Sequence, residues 1–136
     1  MDTHRPHEKL DVWKRAIDLC VDLYRLTDQF PDSEKYGLVS QMRRAAVSVG
    51  SNIAEGAGRG STKLYIHFLY IAQGSLSELD TQLVISNRLN FINEQKYTVI
   101  AGQAVIIGKM LTNLIKSLRE KGVYEETIPY SQPPNP

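Results

Sequence analysis

The sequence predicts an all-α protein, an antiparallel up-down-up-down four-helix bundle, on three observations. Apolar residues recur at alternating steps of three and four along most of the chain, which marks one face of a helix and not a strand of period two. The six prolines are Pro6, Pro31, Pro129, Pro133, Pro134 and Pro136, so none interrupts residues 32–128; turn-rich β domains seldom leave such a gap. The connections between apolar stripes are a few residues long, which favours antiparallel neighbours.

Each element has its own justification. Helix one, expected at roughly 9–29, carries the line Leu10, Trp13, Ile17, Cys20, Tyr24 and beside it a second line, Val12, Ala16, Leu19, Leu23, Leu26, Phe30. Together they make an apolar face wider than the roughly 100° a bundle core needs. Phe30-Pro31-Asp32-Ser33 stops this helix, and Asp32 or Ser33 is a candidate cap for the next, because their side chains accept a first-turn N–H bond. Helix two, roughly 34–57, carries Val39, Met42, Ala46, Val49 and Ile53, and Gly56, Gly58 and Gly60 thin out its end. Ser61 or Thr62 can cap helix three, roughly 61–89, with the line Tyr65, Leu69, Ala72, Leu76, Leu79, Leu83. Asn90-Phe91-Ile92-Asn93 makes the last turn, with Asn93 a candidate N-cap. Helix four, roughly 94–121, carries Tyr97, Ile100, Ala104, Ile107, Leu111, Leu114 and Leu118. The bundle is thus expected over 1–121 and a mobile tail over 122–136. Surplus apolar residues (Leu64, Phe68 and Ile71 on helix three; Val99, Ile106 and Met110 on helix four) mean either a broad internal face or contact with a second subunit.

Composition narrows the function classes. A chain of 136 residues with 42% hydrophobic and 23% charged residues suits one ordinary globular domain. Its net charge of +1 gives no global field that advertises a nucleic-acid or membrane partner. One cysteine, Cys20, cannot form an intramolecular disulfide and lies within an apolar pattern, which fits a reducing compartment. The opening residues show no signal peptide, and the apolar stretch Leu64–Ala72 is far shorter than a membrane span. A cytoplasmic protein is expected.

Helix two is the unusual element. Residues 41–60 are poor in bulky side chains and rich in Ala, Ser and Gly, which lets neighbouring backbones approach closely. Gly50 in its middle costs about 1 kcal/mol relative to Ala, a cost a close contact can offset. Arg44, Ser48, Asn52, Glu55 and Arg59 form a polar line along it, read either as a structural network or solvated face, or as a cluster for a ligand. The charge is uneven: residues 35–63 carry net +4 through Lys35, Arg43, Arg44, Arg59 and Lys63 against Glu55, while residues 1–34 carry −3. A helix N-terminus at Ser61 flanked by Arg59 and Lys63 can attract phosphate. Alternatively the basic face balances acidic helix one across subunits.

Sharper motifs fail. Residues 56–63 resemble a phosphate loop but lack its Gly-Lys-Ser/Thr ending and follow a helix. His67 has Leu64 three residues before it, not the Glu a di-iron bundle requires. His4 and His7 near Asp2 make an adventitious metal pair at most, and Cys20 has no nearby His to activate it. No catalytic residue, metal or cofactor is expected.

The runs Tyr36-Gly37-Leu38, Gln41 to Ser48, Ser51-Asn52-Ile53-Ala54-Glu55-Gly56 and Ser75 to Leu83, with the opening Leu10-Asp11-Val12-Trp13, resemble the signature of the bacterial four-helix bundle proteins. These were first noticed as reading frames in intervening sequences of 23S ribosomal RNA genes and are often labelled as a ribosomal protein. The resemblance spans roughly residues 8–121. One departure is Gly50, where many members carry proline. The resemblance implies a left-handed antiparallel bundle that assembles into rings, typically homopentamers, and no catalytic residues. Related accessory proteins of diversity-generating retroelements bind a reverse transcriptase and nucleic acid through strongly basic surfaces, a basicity this chain lacks. The combined expectation is a non-enzymatic homo-oligomeric scaffold whose partner is a nucleic acid, a ribonucleoprotein or another protein. Arg43, Arg44, Arg59 and Lys63 are the candidate phosphate-binding residues; Ser48, Asn52, Glu55 and Glu78 are candidates for helix or subunit contacts. The alternative is a small-molecule enzyme or sensor with Arg44, Asn52 and Glu55 lining a pocket between helices.

Overall fold

A computed structural model describes residues 5–125. Four long α-helices make up this part of the chain, α1 (Asp11–Thr27), α2 (Leu38–Ala57), α3 (Thr62–Arg88) and α4 (Glu94–Glu125), and no strand occurs among the described residues. Short 3₁₀ turns at Pro6–Lys9 and Asp32–Glu34 precede α1 and α2. Helix two therefore starts later than residue 34. The Asp32/Ser33 signal is absorbed by the 3₁₀ turn, and the α-helix begins after Gly37, which caps it with no side-chain bond. The other two caps act as expected: Ser61 Oγ accepts from Leu64 N–H at 3.3 Å and Asn93 Oδ1 from Lys96 N–H at 2.8 Å. Asn90 takes the left-handed conformation at φ 62°, which lets Phe91 N–H reach back to Ser86 C=O at 2.9 Å and ends α3. Gly122 does not stop α4, which runs to Glu125; the rest of the expected tail lies outside the described residues.

The core takes its largest fully buried side chains from all four helices: Leu19 and Leu23, Met42 and Ile53, Leu69 and Leu79, Ile107 and Leu111. Each such burial contributes about 1.5–3 kcal/mol. On α1 the two apolar lines divide the work. Val12, Ala16, Leu19 and Leu23 of one line are buried, whereas Ile17 and Tyr24 of the other remain exposed and its Leu10, Trp13 and Cys20 are only partly buried. The line that looks secondary in the sequence is thus the one that faces the core.

Pairs across the helices fix their register. Ile17 lies against Gly50, and Arg43 against Tyr24 and Thr27, between α1 and α2. Gly56 lies against Tyr65 and Phe68, Ser48 bonds Ser75, and Ser86 touches Met42, between α2 and α3. Gln73 bonds Thr112 and Leu76 abuts Gly108, between α3 and α4. Gln103 bonds Asp22 between α4 and α1, and Lys96 bonds Gln29 just past the end of α1. The small residues of α2 serve this packing directly: Gly50 admits α1 and Gly56 admits α3.

By length and composition alone, Glu94–Gly122 is apolar enough to cross a membrane. Its stripe Ile100, Ala104, Ile107, Leu111, Ile115 is buried in the bundle, but only 28% of the apolar stretch is covered. Val99, Val105 and Ile106 stay exposed on its other side.

Candidate functional site

The sequence singles out α2, and the structure assigns its polar residues distinct surroundings. Arg43 is tied to α1. Its guanidinium donates to Thr27 Oγ1 at 3.0 Å, to Tyr24 C=O at 3.2 Å and to Asp28 Oδ1 at 2.9 Å, and it lies over the Tyr24 ring at 4.5 Å. With its side chain only 28% exposed, it acts as a clamp between α1 and α2. Arg44, one position on, points outward and is exposed. Arg59, in the turn after α2, pairs with Glu55 and stacks on Phe68 at 5.1 Å. Lys63 is half-buried in the first turn of α3.

The candidate contact residues also separate. Ser48 Oγ meets Ser75 Oγ at 2.7 Å across α2 and α3. Asn52 folds back, donating to Ser48 C=O at 2.8 Å and Ser48 Oγ at 2.9 Å. Glu55 and Glu78 are exposed and bond to near neighbours in sequence, Glu55 to Arg59 in the turn after α2 and Glu78 to Gln82 within α3. Arg44, Asn52 and Glu55 do not converge on one pocket: eleven residues of one helix separate the first from the last, about 16 Å along its axis.

What gathers instead is an open groove of about 480 Å³ where the end of α1, the turn and the start of α2 meet. Lys35, Arg43 and Arg44 supply its charge, Tyr24 and Tyr36 its aromatic rings, and Val39 and Val47 its apolar lining. The turn that carries Lys35 and Tyr36 is well anchored. Buried Phe30 packs on Phe91 with ring centroids 5.4 Å apart, Lys35 N–H bonds Asp32 C=O at 3.1 Å, and Gly37 N–H bonds Glu34 C=O at 3.1 Å. Tyr36 is nonetheless 88% exposed, with Lys35 Nζ 5.6 Å from its ring centre. Lys35 belongs to the basic segment read from the sequence, but Tyr24 and Tyr36 are not among the expected site residues; the available signal was the Lys35-Tyr36 pair at the start of that segment. A second open groove, of about 520 Å³, lies between α1 and α4 over Leu26, Val99 and Ile100.

Among the described residues no cluster of three His, Cys, Asp or Glu side chains could hold a metal ion. His7 packs edge-on against Trp13 at 4.9 Å, while His4 and Asp2 lie outside the described residues. Cys20 is half-buried on α1 and burial pushes its thiol pKa up, the opposite of what an activated nucleophile needs. Burial likewise raises the Tyr65 hydroxyl.

Among solved structures, a protein of unknown function from the S23 ribosomal protein family of Bacteroides thetaiotaomicron is similar to this chain. It aligns with a TM-score of 0.70 at 24% identity, over 77% of this chain and 98% of that one. A likeness at this identity is one of fold. A comparison with curated proteins finds no match. The family model of the 23S rRNA-intervening sequence protein matches residues 8–113, which takes in α1, α2, α3 and most of α4, and the chain belongs to that family.

Proposed function

We propose that this chain is a non-enzymatic, cytoplasmic scaffold, an up-down-up-down antiparallel bundle that assembles with copies of itself and holds nucleic acid on the outer side of α2. The cross-helix pairs support the antiparallel reading. From Ile17–Gly50 to Thr27–Arg43, residue numbers rise on one helix as they fall on its partner, and the α2–α3, α3–α4 and α4–α1 pairs do the same.

The observation that carries the assembly is exposed apolar surface on two separate faces. Ile17, Val21 and Tyr24 lie on α1 with Val47 on α2, and Val99 at 61% exposure and Ile106 at 44% lie on α4. Two different apolar faces on one subunit favour a heterologous contact, which closes into a ring when its rotation permits. The homopentamer typical of the family is such a ring. Repetition also answers the low net charge, because affinity and salt dependence grow with the number of phosphates neutralised. A few cations per subunit become a belt.

Two measurements test this. Light scattering behind a sizing column should give a multiple of the chain mass, and a Val99→Glu/Ile106→Glu variant should give the monomer mass with helical circular dichroism retained. A monomeric wild type refutes the assembly. Fluorescence anisotropy on structured RNA and duplex DNA, at low and near-physiological salt, should show binding that weakens steeply with salt. Flat curves at low salt refute the nucleic-acid reading and leave a protein-binding scaffold.

A further inference from the structure

The groove at the start of α2 differs from a merely basic surface, because its cations and its aromatic rings are interleaved. Lys35 and Arg44 line it and are exposed, whereas the charge of Arg43 is already met by Asp28. No carboxylate is among the residues that line the groove; that of Glu34 stands against Gly37. An anion entering there meets two uncompensated positive charges. Tyr36 adds something a phosphate does not use: a ring 88% exposed on an anchored turn. An aromatic face held in water next to cations suits a flat π-system whose own backbone is anionic. In a duplex the base faces are covered by their neighbours, so only an unpaired base can lie on Tyr36.

We propose, resting on the nucleic-acid reading above, that this groove selects single-stranded nucleic acid, with phosphates at Lys35 and Arg44 and an unpaired base stacked on Tyr36. The groove volume of about 480 Å³ falls in the range of ligand clefts, about 300–1,000 Å³. Stacking tolerates any base, since each has a π-face. The interaction is therefore selective for strandedness and indifferent to sequence.

The test is an anisotropy titration of the full chain and its Tyr36→Ala, Tyr36→Phe and Arg44→Ala variants, each first confirmed as folded and of wild-type size. The probes are labelled oligouridylate, oligothymidylate and a DNA duplex of matched charge. Wild type should bind both single strands about tenfold more tightly than the duplex, from one stacked base per groove. Tyr36→Ala should erase that advantage and leave duplex binding unchanged, while Tyr36→Phe keeps it. Arg44→Ala should weaken all three and reduce the single-strand salt slope by about 0.7 for each phosphate no longer neutralised. Loss of the advantage in Tyr36→Phe as well, or its survival in Tyr36→Ala, overturns stacking on this ring. Binding that depends on Arg44 but is equal for duplex and single strands keeps the nucleic-acid reading and removes this proposal; no binding by any probe removes both.

Discussion

Three glycines inside helices give one chemical change three different outcomes. At Gly56 an added Cβ would stand 3.0 Å from Phe68 Cβ, 3.0 Å from the Tyr65 ring and 3.1 Å from the Tyr65 carbonyl oxygen. Two of these neighbours, a Cβ and a backbone oxygen, cannot swing aside, so α2 and α3 must separate by a few tenths of an ångström. Overpacking of this kind costs about 1–3 kcal/mol, against a propensity gain of up to about 1 kcal/mol. With the full propensity gain credited, the expected net loss for Gly56→Ala is about 0–2 kcal/mol, or a Tm lower by up to roughly 8 °C for a chain of this size. At Gly74 nothing lies within 4 Å, so Gly74→Ala keeps the gain and should raise Tm by about 2–4 °C. At Gly50 the neighbour at 3.1 Å is Ile17 Cδ1, the free end of a side chain that is 38% exposed and can rotate. Gly50→Ala should therefore fall within about 0.5 kcal/mol of wild type, the propensity gain offset by an off-rotamer cost of about 0.5–1.5 kcal/mol. Urea and thermal unfolding followed by circular dichroism measure all three, at one fixed protein concentration because Tm depends on concentration in any chain that self-associates. A Gly56→Ala variant as stable as Gly74→Ala would show that α2 and α3 do not approach as closely as described.

The two adjacent arginines of α2 should separate in the same assay. Arg43→Ala loses the bonds to Thr27 and Tyr24 and should cost about 1–2 kcal/mol, with little credit to the exposed Asp28 pair; Arg44→Ala should stay within about 0.5 kcal/mol. In nucleic-acid titrations Arg44→Ala should weaken binding more than Arg59→Ala, because Glu55 already neutralises Arg59. Asn93→Ala should cost about 1 kcal/mol and Ser61→Ala less, since their capping bonds measure 2.8 and 3.3 Å; equal unfolding midpoints would contradict this. Cys20 should react with iodoacetamide more slowly than a free thiol at pH 8 and regain the ordinary rate in urea. Its raised thiol pKa means that the folded chain holds the proton longer. Stability is therefore undiminished below the ordinary value of 9.0 and falls as pH rises beyond it, a loss that Cys20→Ala should reduce.

Helical periodicity made the four helices legible because each keeps a stripe of three-and-four steps on the core. It could not choose between the two stripes of α1, since both satisfy the same period and the choice depends on where α2 and α4 lie. Trp13 and Ile17 look like core residues by type, yet the smaller Val12 and Ala16 are the ones buried. The start of α2 was misplaced for a local reason: the cap-forming Asp and Ser serve a 3₁₀ turn, and Gly37 intervenes before the helix. At the site, sequence picked out Arg43 and Arg44 as equals. Their difference comes from Thr27, sixteen residues earlier, and only the packing of α1 on α2 brings that hydroxyl under one guanidinium and not the other. Tyr36 was invisible as a site residue for the same reason, because its neighbours in the groove come from two helices.

The small residues of α2 and the exposed groove beside it follow from a single constraint. A helix packed closely against two neighbours needs small residues where their backbones approach, and Ala45, Ala46, Gly50 and Gly56 are buried beside the larger core residues Met42 and Ile53. That leaves the arc through Gln41, Arg44, Val47, Ser51 and Glu55 as its exposed side. Along this arc the C-terminal end carries an ion pair that closes on itself, Glu55 with Arg59, whereas the N-terminal end carries Arg44 with no carboxylate lining its groove. The turn before α2 adds Lys35 and Tyr36 at that same end. Substitutions on the inward arcs would disturb the bundle itself, while those on the outward arc change charge and shape at little cost to folding. If α2 recognises a partner, its specificity resides on that arc, and the uncompensated charge locates it at the end where α1 and α2 meet.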